Sequence, residues 1–286
     1  MDSLTDDGAR PRRLNRLNDL SPKAWIRFQK SWFVHAPPKR ANGVVRHPAK
    51  FPESLAQEFI EFFTKRGQHV LDPMVGTGST LIAAARAGRA AVGIELSEDF
   101  AAIAQKELQR VADEEQLDLS NITLLRQDAR HIASLGLPPI DYCITSPPYW
   151  DMLQRKGFET QRERQELGLP ITYSDNDADL GNIASYDRFL EELTRIYIDL
   201  HQVLRPGAYF TVIVKNVKKG PRMYPLAWDI ARRISSHFTL KDERIWCQDD
   251  QRLAPYGMFN AWVSNTHHHY CLMFRKEPEQ KQSRIP

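Results

Sequence analysis

The chain has 286 residues, 42% hydrophobic and 26% charged, which are ordinary proportions for a globular protein and exclude a wholly disordered one. No run of about 18 apolar residues is present, so a membrane-spanning helix is not expected, and Met1–Leu14 lacks the apolar stretch of a secretory leader. Net charge is only +3, and the cysteines, Cys143, Cys247 and Cys271, are few and far apart, which excludes a disulfide framework or zinc ribbon and suits the reducing cytosol.

Residues 1–50 are the basic part of the chain, from Arg10, Arg12 and Arg13 to Lys50, against Asp2, Asp6, Asp7 and Asp19. Such a stretch is either a solvated tail or an arm that contacts phosphates. Residues 1–24 read as a mobile arm. Residues 21–52, with Trp25, Trp32, Phe33 and Phe51 among prolines, read as irregular chain packed onto the domain.

Regular patterning then begins. Leu55–Thr64 has the apolar spacing of an amphipathic helix. His69–Leu71 is a short buried strand, Ser79–Ala87 a helix closed by Gly88, and Ala90–Ile94 a second strand. A helix over Asp99–Glu114 precedes strands at Ile122–Arg126 and Asp141–Thr145. Tyr186–Val203 is a long helix stopped by Arg205-Pro206-Gly207. Tyr209–Lys215, Phe238–Trp246 and Tyr270–Phe274 are further strands, with a helix at Pro225–Ser235. Strands alternating with helices indicate βαβ units and a parallel sheet. The last two strands are joined by a loop, so one of them runs antiparallel. The stretch 151–182 is too long for an ordinary connection and is read as a functional insertion.

In such a sheet, ligands bind outside the carboxyl ends of the strands. The first strand runs into Asp72-Pro73-Met74-Val75-Gly76-Thr77-Gly78, whose glycines permit a tight turn and close approach of a ligand to the backbone. No lysine of a nucleotide-triphosphate loop follows. The second strand ends at Glu95, about 20 positions further on, where an acidic residue accepts bonds from ribose hydroxyls. Asp128 follows the third strand, followed by Ala129. Its carboxylate either meets an adenine amino group or caps a helix. Acidic ends on three strands suit a ligand with adenosine and no phosphates.

The fourth strand ends in Ser146-Pro147-Pro148-Tyr149-Trp150. The prolines stiffen the chain and remove donors, so Ser146 and nearby carbonyls form a rigid acceptor cluster beside two aromatic rings. That arrangement would hold a flat amine.

Asp72–Thr80 resembles the DPFxGxGT cofactor motif, and Ser146–Tyr149 the SPPY catalytic motif, of the amino-type DNA methyltransferases that use S-adenosylmethionine. His47-Pro48-Ala49-Lys50-Phe51-Pro52 is similar to the family's HPAxFP segment, which closes over the methionine part of the cofactor. Met74 stands where the family usually has Phe, at a packing position. The resemblance runs over residues 25–276 and leaves 277–286 as a tail. It implies a Rossmann-like α/β fold with a mostly parallel seven-stranded sheet, order 3-2-1-4-5-7-6, strand 7 being antiparallel. It also implies a prokaryotic, cytoplasmic enzyme acting on double-stranded DNA with a flipped target base, either paired with a restriction endonuclease or solitary.

The implied cofactor residues are His47, Pro48, Ala49, Phe51, Asp72, Pro73, Gly76, Thr77, Gly78, Glu95, Asp128 and Ala129. The implied catalytic residues are Ser146, Pro147, Pro148 and Tyr149. An exocyclic amine is a poor nucleophile, so the expected catalysis is orientation: Ser146 and the Pro147 carbonyl accept its hydrogens while Tyr149 stacks on the base. The family associates SPPY mainly with cytosine N4. Adenine N6, an RNA or protein substrate, and a non-catalytic DNA-binding subunit are the alternatives. Candidate DNA contacts are Arg155 and Lys156 in the insertion, Lys218 and Lys219 after the fifth strand, and Gln251 and Arg252 in the segment 247–266. His267-His268-His269 enters a strand, where neighbouring side chains oppose, so no metal is expected there.

Overall fold

The computed structural model describes residues 14–35, 51–150, 179–219, 222–249, 253–255, 259 and 261–278. In chain order the elements are α1 (Pro22–Phe28), β1 (Trp32–Val34), α2 (Glu53–Phe63), β2 (His69–Asp72), α3 (Ser79–Arg86), β3 (Ala90–Glu95), α4 (Glu98–Glu115), β4 (Ile122–Arg126) and β5 (Ile140–Thr145). They continue as α5 (Tyr186–Val203), β6 (Leu204–Val214), β7 (Val217–Lys219), β8 (Arg222–Tyr224), α6 (Leu226–Ile234), β9 (Thr239–Cys247) and β10 (His268–Arg275). Short 3-10 turns lie at Ala129–Ser134 and Leu180–Asn182.

β2, β3 and β5 are nearly continuous apolar runs because both faces of the sheet are covered. Leu55, Leu81 and Leu108 of α2, α3 and α4 pack in the core of one face, and Phe189, Leu193 and Ile230 of α5 and α6 in that of the other. The strand order is β1-β9-β10-β6-β5-β2-β3-β4. β2 to β6 pair in parallel, and β10 is antiparallel to both β6 and β9. The seven expected strands thus take the expected order, with β10 as the antiparallel one. An eighth, β1, extends the edge parallel to β9. The chain winds outward in opposite directions from β2 and from β5. The crevice between their carboxyl ends is the switch point at which α/β sheets bind ligands.

Three local features differ from the sequence expectation. Residues 14–24, expected in a mobile arm, lie against the domain. Asn18 is buried and donates to the Phe62 carbonyl (2.6 Å), and Asp19 accepts from the Arg66 backbone N–H (2.9 Å). The expected break at Arg205-Pro206-Gly207 is part of β6, because Leu204 already pairs with Ile140 and a register shift absorbs the irregular residues. After β6, where no strand was expected, β7 and β8 pair antiparallel as a hairpin.

The N-terminal elements are pinned by a buried cation. Arg244 of β9 lies over the rings of Phe28 (4.0 Å), Phe33 (4.3 Å) and Phe59 (5.5 Å), and its Nε donates to the Lys30 carbonyl. Burial pulls its pKa down, and three aromatic faces, with the charge of Glu58, compensate. Arg244→Ala should lower stability by about 2–3 kcal/mol, read from urea unfolding, and should speed hydrogen exchange in β1.

Candidate active site

β2 and β3 end where the chain must turn, and the turn after β2 is organised by a carboxylate. Asp72 is only 1% exposed. One of its oxygens accepts from the Met74 backbone N–H (3.0 Å), the other from Thr80 Oγ1 (2.6 Å). Burial raises its pKa to about 6 against the pull of those bonds. Asp72 does not line the cleft. It shapes the loop from behind, one layer back from the cleft surface where a direct cofactor contact was expected. Gly78, also expected to touch the cofactor, has φ +87° and backs onto α4, where a Cβ would meet Ala104 at 3.2 Å. It is absent from the cleft wall because its job is helix packing.

The cleft itself encloses about 870 Å3, part of it open to solvent. Of the expected residues, Phe51, Pro73, Gly76, Thr77, Glu95, Asp128, Ala129, Ser146 and Pro148 line it. Met74 lines it too, while also packing on the core. His47, Pro48 and Ala49 lie outside the described residues.

Glu95 spans the turn. Its two oxygens accept from the backbone N–H groups of Gly76 (2.9 Å) and Ser97 (2.8 Å). Burial lifts its pKa to about 7 despite those bonds, and the charges of Asp179 and Asp72 add to the lift. Asp128 is different. It accepts from the backbone and side chain of Arg130, with an ion pair of 2.7 Å. Burial opposes its ionisation, but the Arg130 bonds prevail and hold its pKa below the usual carboxylate range. It caps the turn at Ala129–Ser134 and faces the cleft as well.

Asp179 also lines the cleft, an assignment the sequence reading missed. It is buried and accepts from the Gly181 N–H (2.8 Å). Its position in the long stretch 151–182 gave no sign that it would return to the cofactor side. With Asp128 already paired to Arg130, the carboxylates of Glu95 and Asp179 favour a ligand carrying positive charge. Thr77 Oγ1 and Ser79 Oγ are buried at the same wall without a protein partner. Those oxygens are sealed behind the cleft surface, whereas Glu95 and Asp179 face it. The wall therefore fits an adenosyl group joined to a cation.

At the opposite wall β5 delivers Ser146. Its Oγ lies 3.2 Å from the Tyr149 hydroxyl. Pro147 is buried and Pro148 faces the cleft. Tyr149 is 7% exposed, and burial pushes its pKa to about 12. Its ring lies against His269 (6.3 Å between centroids), which stacks flat on Trp246 (4.3 Å, 16°). Tyr149 is thus packed from behind, and its visible contact with the reacting region is the bond to Ser146. Trp150, expected beside the amine site, turns away. It has φ +54°, donates from Nε1 to the Ile183 carbonyl, and packs with Tyr186 and Tyr224.

His268 and His269 take different partners, Tyr270 and Trp246, as strand alternation requires. No metal-binding group occurs among the described residues. Of the candidate DNA contacts, Lys219 lies over the Trp150 ring (4.2 Å). Lys218 is committed to Ser264. Arg155, Lys156, Gln251 and Arg252 are outside the described residues. Among the described residues no helix is long and apolar enough to cross a membrane.

A family model described as DNA methylase matches residues 11–106 and 140–285. The chain is similar to the type II methyltransferase M.MthZI of Methanothermobacter thermautotrophicus, 40% identical over 87 residues, or 30% of this chain and 23% of that one. It is 41% identical over 64 residues to the type II methyltransferase M2.DpnII of Streptococcus pneumoniae, covering 22% of this chain and 24% of that one. The aligned part is thus about a quarter of each relative's length. The solved structure of TrmN from Thermus thermophilus aligns at 17% identity and TM-score 0.45, over 78% of this chain and 48% of that one. The family match spans the cofactor-side loop and the Ser146 loop together, and the chain belongs to the N6/N4 family of DNA methylases.

Proposed function

We propose that this protein transfers a methyl group from S-adenosylmethionine to the exocyclic N4 amine of cytosine in duplex DNA. One observation carries the reading: Ser146, at the end of β5, shares a cleft with Glu95, Asp128 and Asp179. A hydroxyl acceptor for an amine thereby stands opposite an acidic wall suited to a cationic adenosyl ligand. Glu95 would receive the ribose hydroxyls. Phe51, Pro73, Met74 and Ala129 supply the apolar part of the wall. His47, Pro48 and Ala49 are proposed to close over the methionine end.

When bound, the cofactor supplies an electrophilic sulfonium methyl. The chain supplies orientation. Ser146 Oγ and the Pro147 carbonyl accept the amine hydrogens and turn the nitrogen lone pair out of conjugation. Tyr149 fixes the rotamer of Ser146 through their hydrogen bond, and the exposed remainder of its ring bounds the base site. Holding two reactants in line is worth about 7–11 kcal/mol in favourable cases. That exceeds the few kcal/mol that flipping a base out of the duplex costs. The type II methyltransferases among its relatives suggest the modification arm of a restriction–modification pair. Cytosine rests on the serine of Ser-Pro-Pro-Tyr; adenine N6 is the second outcome of the test.

Expression in a methylation-deficient bacterial host, with mass spectrometry of the digested DNA, should reveal N4-methylcytosine. Ser146→Ala should remove it. N6-methyladenine would overturn the base assignment and keep the mechanism, whereas no modified base at all would sink the reading. Tyr149→Phe keeps the ring and loses one hydrogen bond, so kcat should fall about tenfold with little change in KM. Glu95 titrates near 7. Its ionised form is the one that binds, so cofactor affinity by calorimetry should be about five- to tenfold weaker at pH 6 than at pH 8. In Glu95→Gln that dependence should vanish along with most of the affinity.

A further inference from the structure

Two segments outside the cleft rise from the same edge of the sheet as Ser146. β6 and β9 run in the same direction as β5, and β10 begins at the end where β9 stops. The β7–β8 hairpin follows β6, and the connection from β9 to β10 spans residues 248–267. Both are therefore neighbours of the catalytic loop.

They are braced against each other. Lys218 Nζ on β7 donates to the backbone carbonyl of Ser264 and to its hydroxyl, 3.0 Å away. Asn265 accepts from the Ala254 N–H (2.8 Å) and donates to the Ala254 carbonyl (2.9 Å), clasping the two ends of the excursion. On this fixed base Trp262 is 90% exposed. Phe259 is 98% exposed in the same excursion. Trp262, a large aromatic side chain held in water two residues from the anchored Ser264, marks a contact surface.

The surrounding charge selects the partner. Lys218 stands two residues' reach from Trp262 through Ser264, and Lys219 and Arg222 are exposed on the hairpin. Cations for phosphates beside a flat ring for base faces are the recognition chemistry of a nucleic acid. An apolar wedge entering between base steps is also a known way for proteins to unstack a duplex.

We propose that Trp262 is an insertion side chain, entering the duplex beside the target and stacking where the flipped base has left. This rests on the reading that the protein methylates a base in duplex DNA. Lys218 holds the wedge in place, and Lys219 and Arg222 meet the flanking phosphates.

The test compares wild type, Trp262→Ala and Trp262→Phe on two substrates. One is a duplex oligonucleotide carrying the methylated sequence; the other is that duplex with an abasic site opposite the target base. Trp262 is exposed, so thermal unfolding should be unchanged. On the intact duplex Trp262→Ala should lose about 10- to 100-fold in kcat/KM, the factor one stacked ring supplies. The abasic duplex, where the target is already loosely held, should restore most of it, and Trp262→Phe should fall between. With 2-aminopurine at the target position, the fluorescence rise on binding should shrink in Trp262→Ala. Equal losses on both substrates, or none, would overturn the insertion role while leaving the methyltransferase reading intact. A change of assembly state in Trp262→Ala by ultracentrifugation, with no duplex-specific loss, would overturn it in favour of contact between copies of the chain. A wild type that methylates neither substrate would sink both readings.

Discussion

A carboxylate sealed at the end of β2 is the constraint on which the site depends. Asp72 holds the Met74 amide and the Thr80 hydroxyl, and so fixes the path of the loop between β2 and α3. Glu95 reaches across from β3 to take the Gly76 amide, which locks the same loop from its other side. With both ends held, Thr77 and Ser79 stand at the cleft wall with their hydroxyl oxygens sealed inside it. The binding surface is prepared by charges that the protein keeps at some cost, as their raised pKa values record.

The two walls of the cleft divide the chemistry. The β2–β3 side concentrates negative charge and polar acceptors. The β5 side contributes a rigid Ser-Pro-Pro turn, with Tyr149 buried and oriented by ring packing on His269 and Trp246. A nucleophile needing orientation rather than deprotonation matches that side well. No strong base is aimed at Ser146 among the described residues, and Tyr149 is held neutral by burial. Lys215, just after β6, has its pKa lowered by burial to about 8 and is bonded to Gln248.

Much of this was readable in the sequence because burial leaves a strong pattern. β2, β3 and β5 are runs of apolar residues, and the acidic residues sit where those runs stop. What escaped has definite causes. β1, β7 and β8 have three residues each, too few to show a period. Arg205-Pro206-Gly207 carries every local sign of a break, yet pairing of Leu204 with Ile140 draws it into β6. Trp150 was legible as an aromatic beside the catalytic turn, but its positive φ, which sends it the other way, was not. Asp179 joins the cleft only through tertiary return of the chain. The roles of Asp72 and Asp128 show the converse: an acidic residue at the right strand end can be spent on the loop or on an arginine before any ligand arrives.

The contact of Gly78 with Ala104 has a consequence for how such a protein can diverge. Ala104 is fully buried in α4 and is not part of the cleft wall, yet its Cβ lies where a side chain on residue 78 would have to go. A larger residue at 104 would push on the backbone of the loop that the cofactor needs. Selection for the cofactor is therefore transmitted to the interior of a neighbouring helix. Among diverging descendants the two positions should drift together or not at all, and a helix that looks like scaffolding carries part of the ligand's signature.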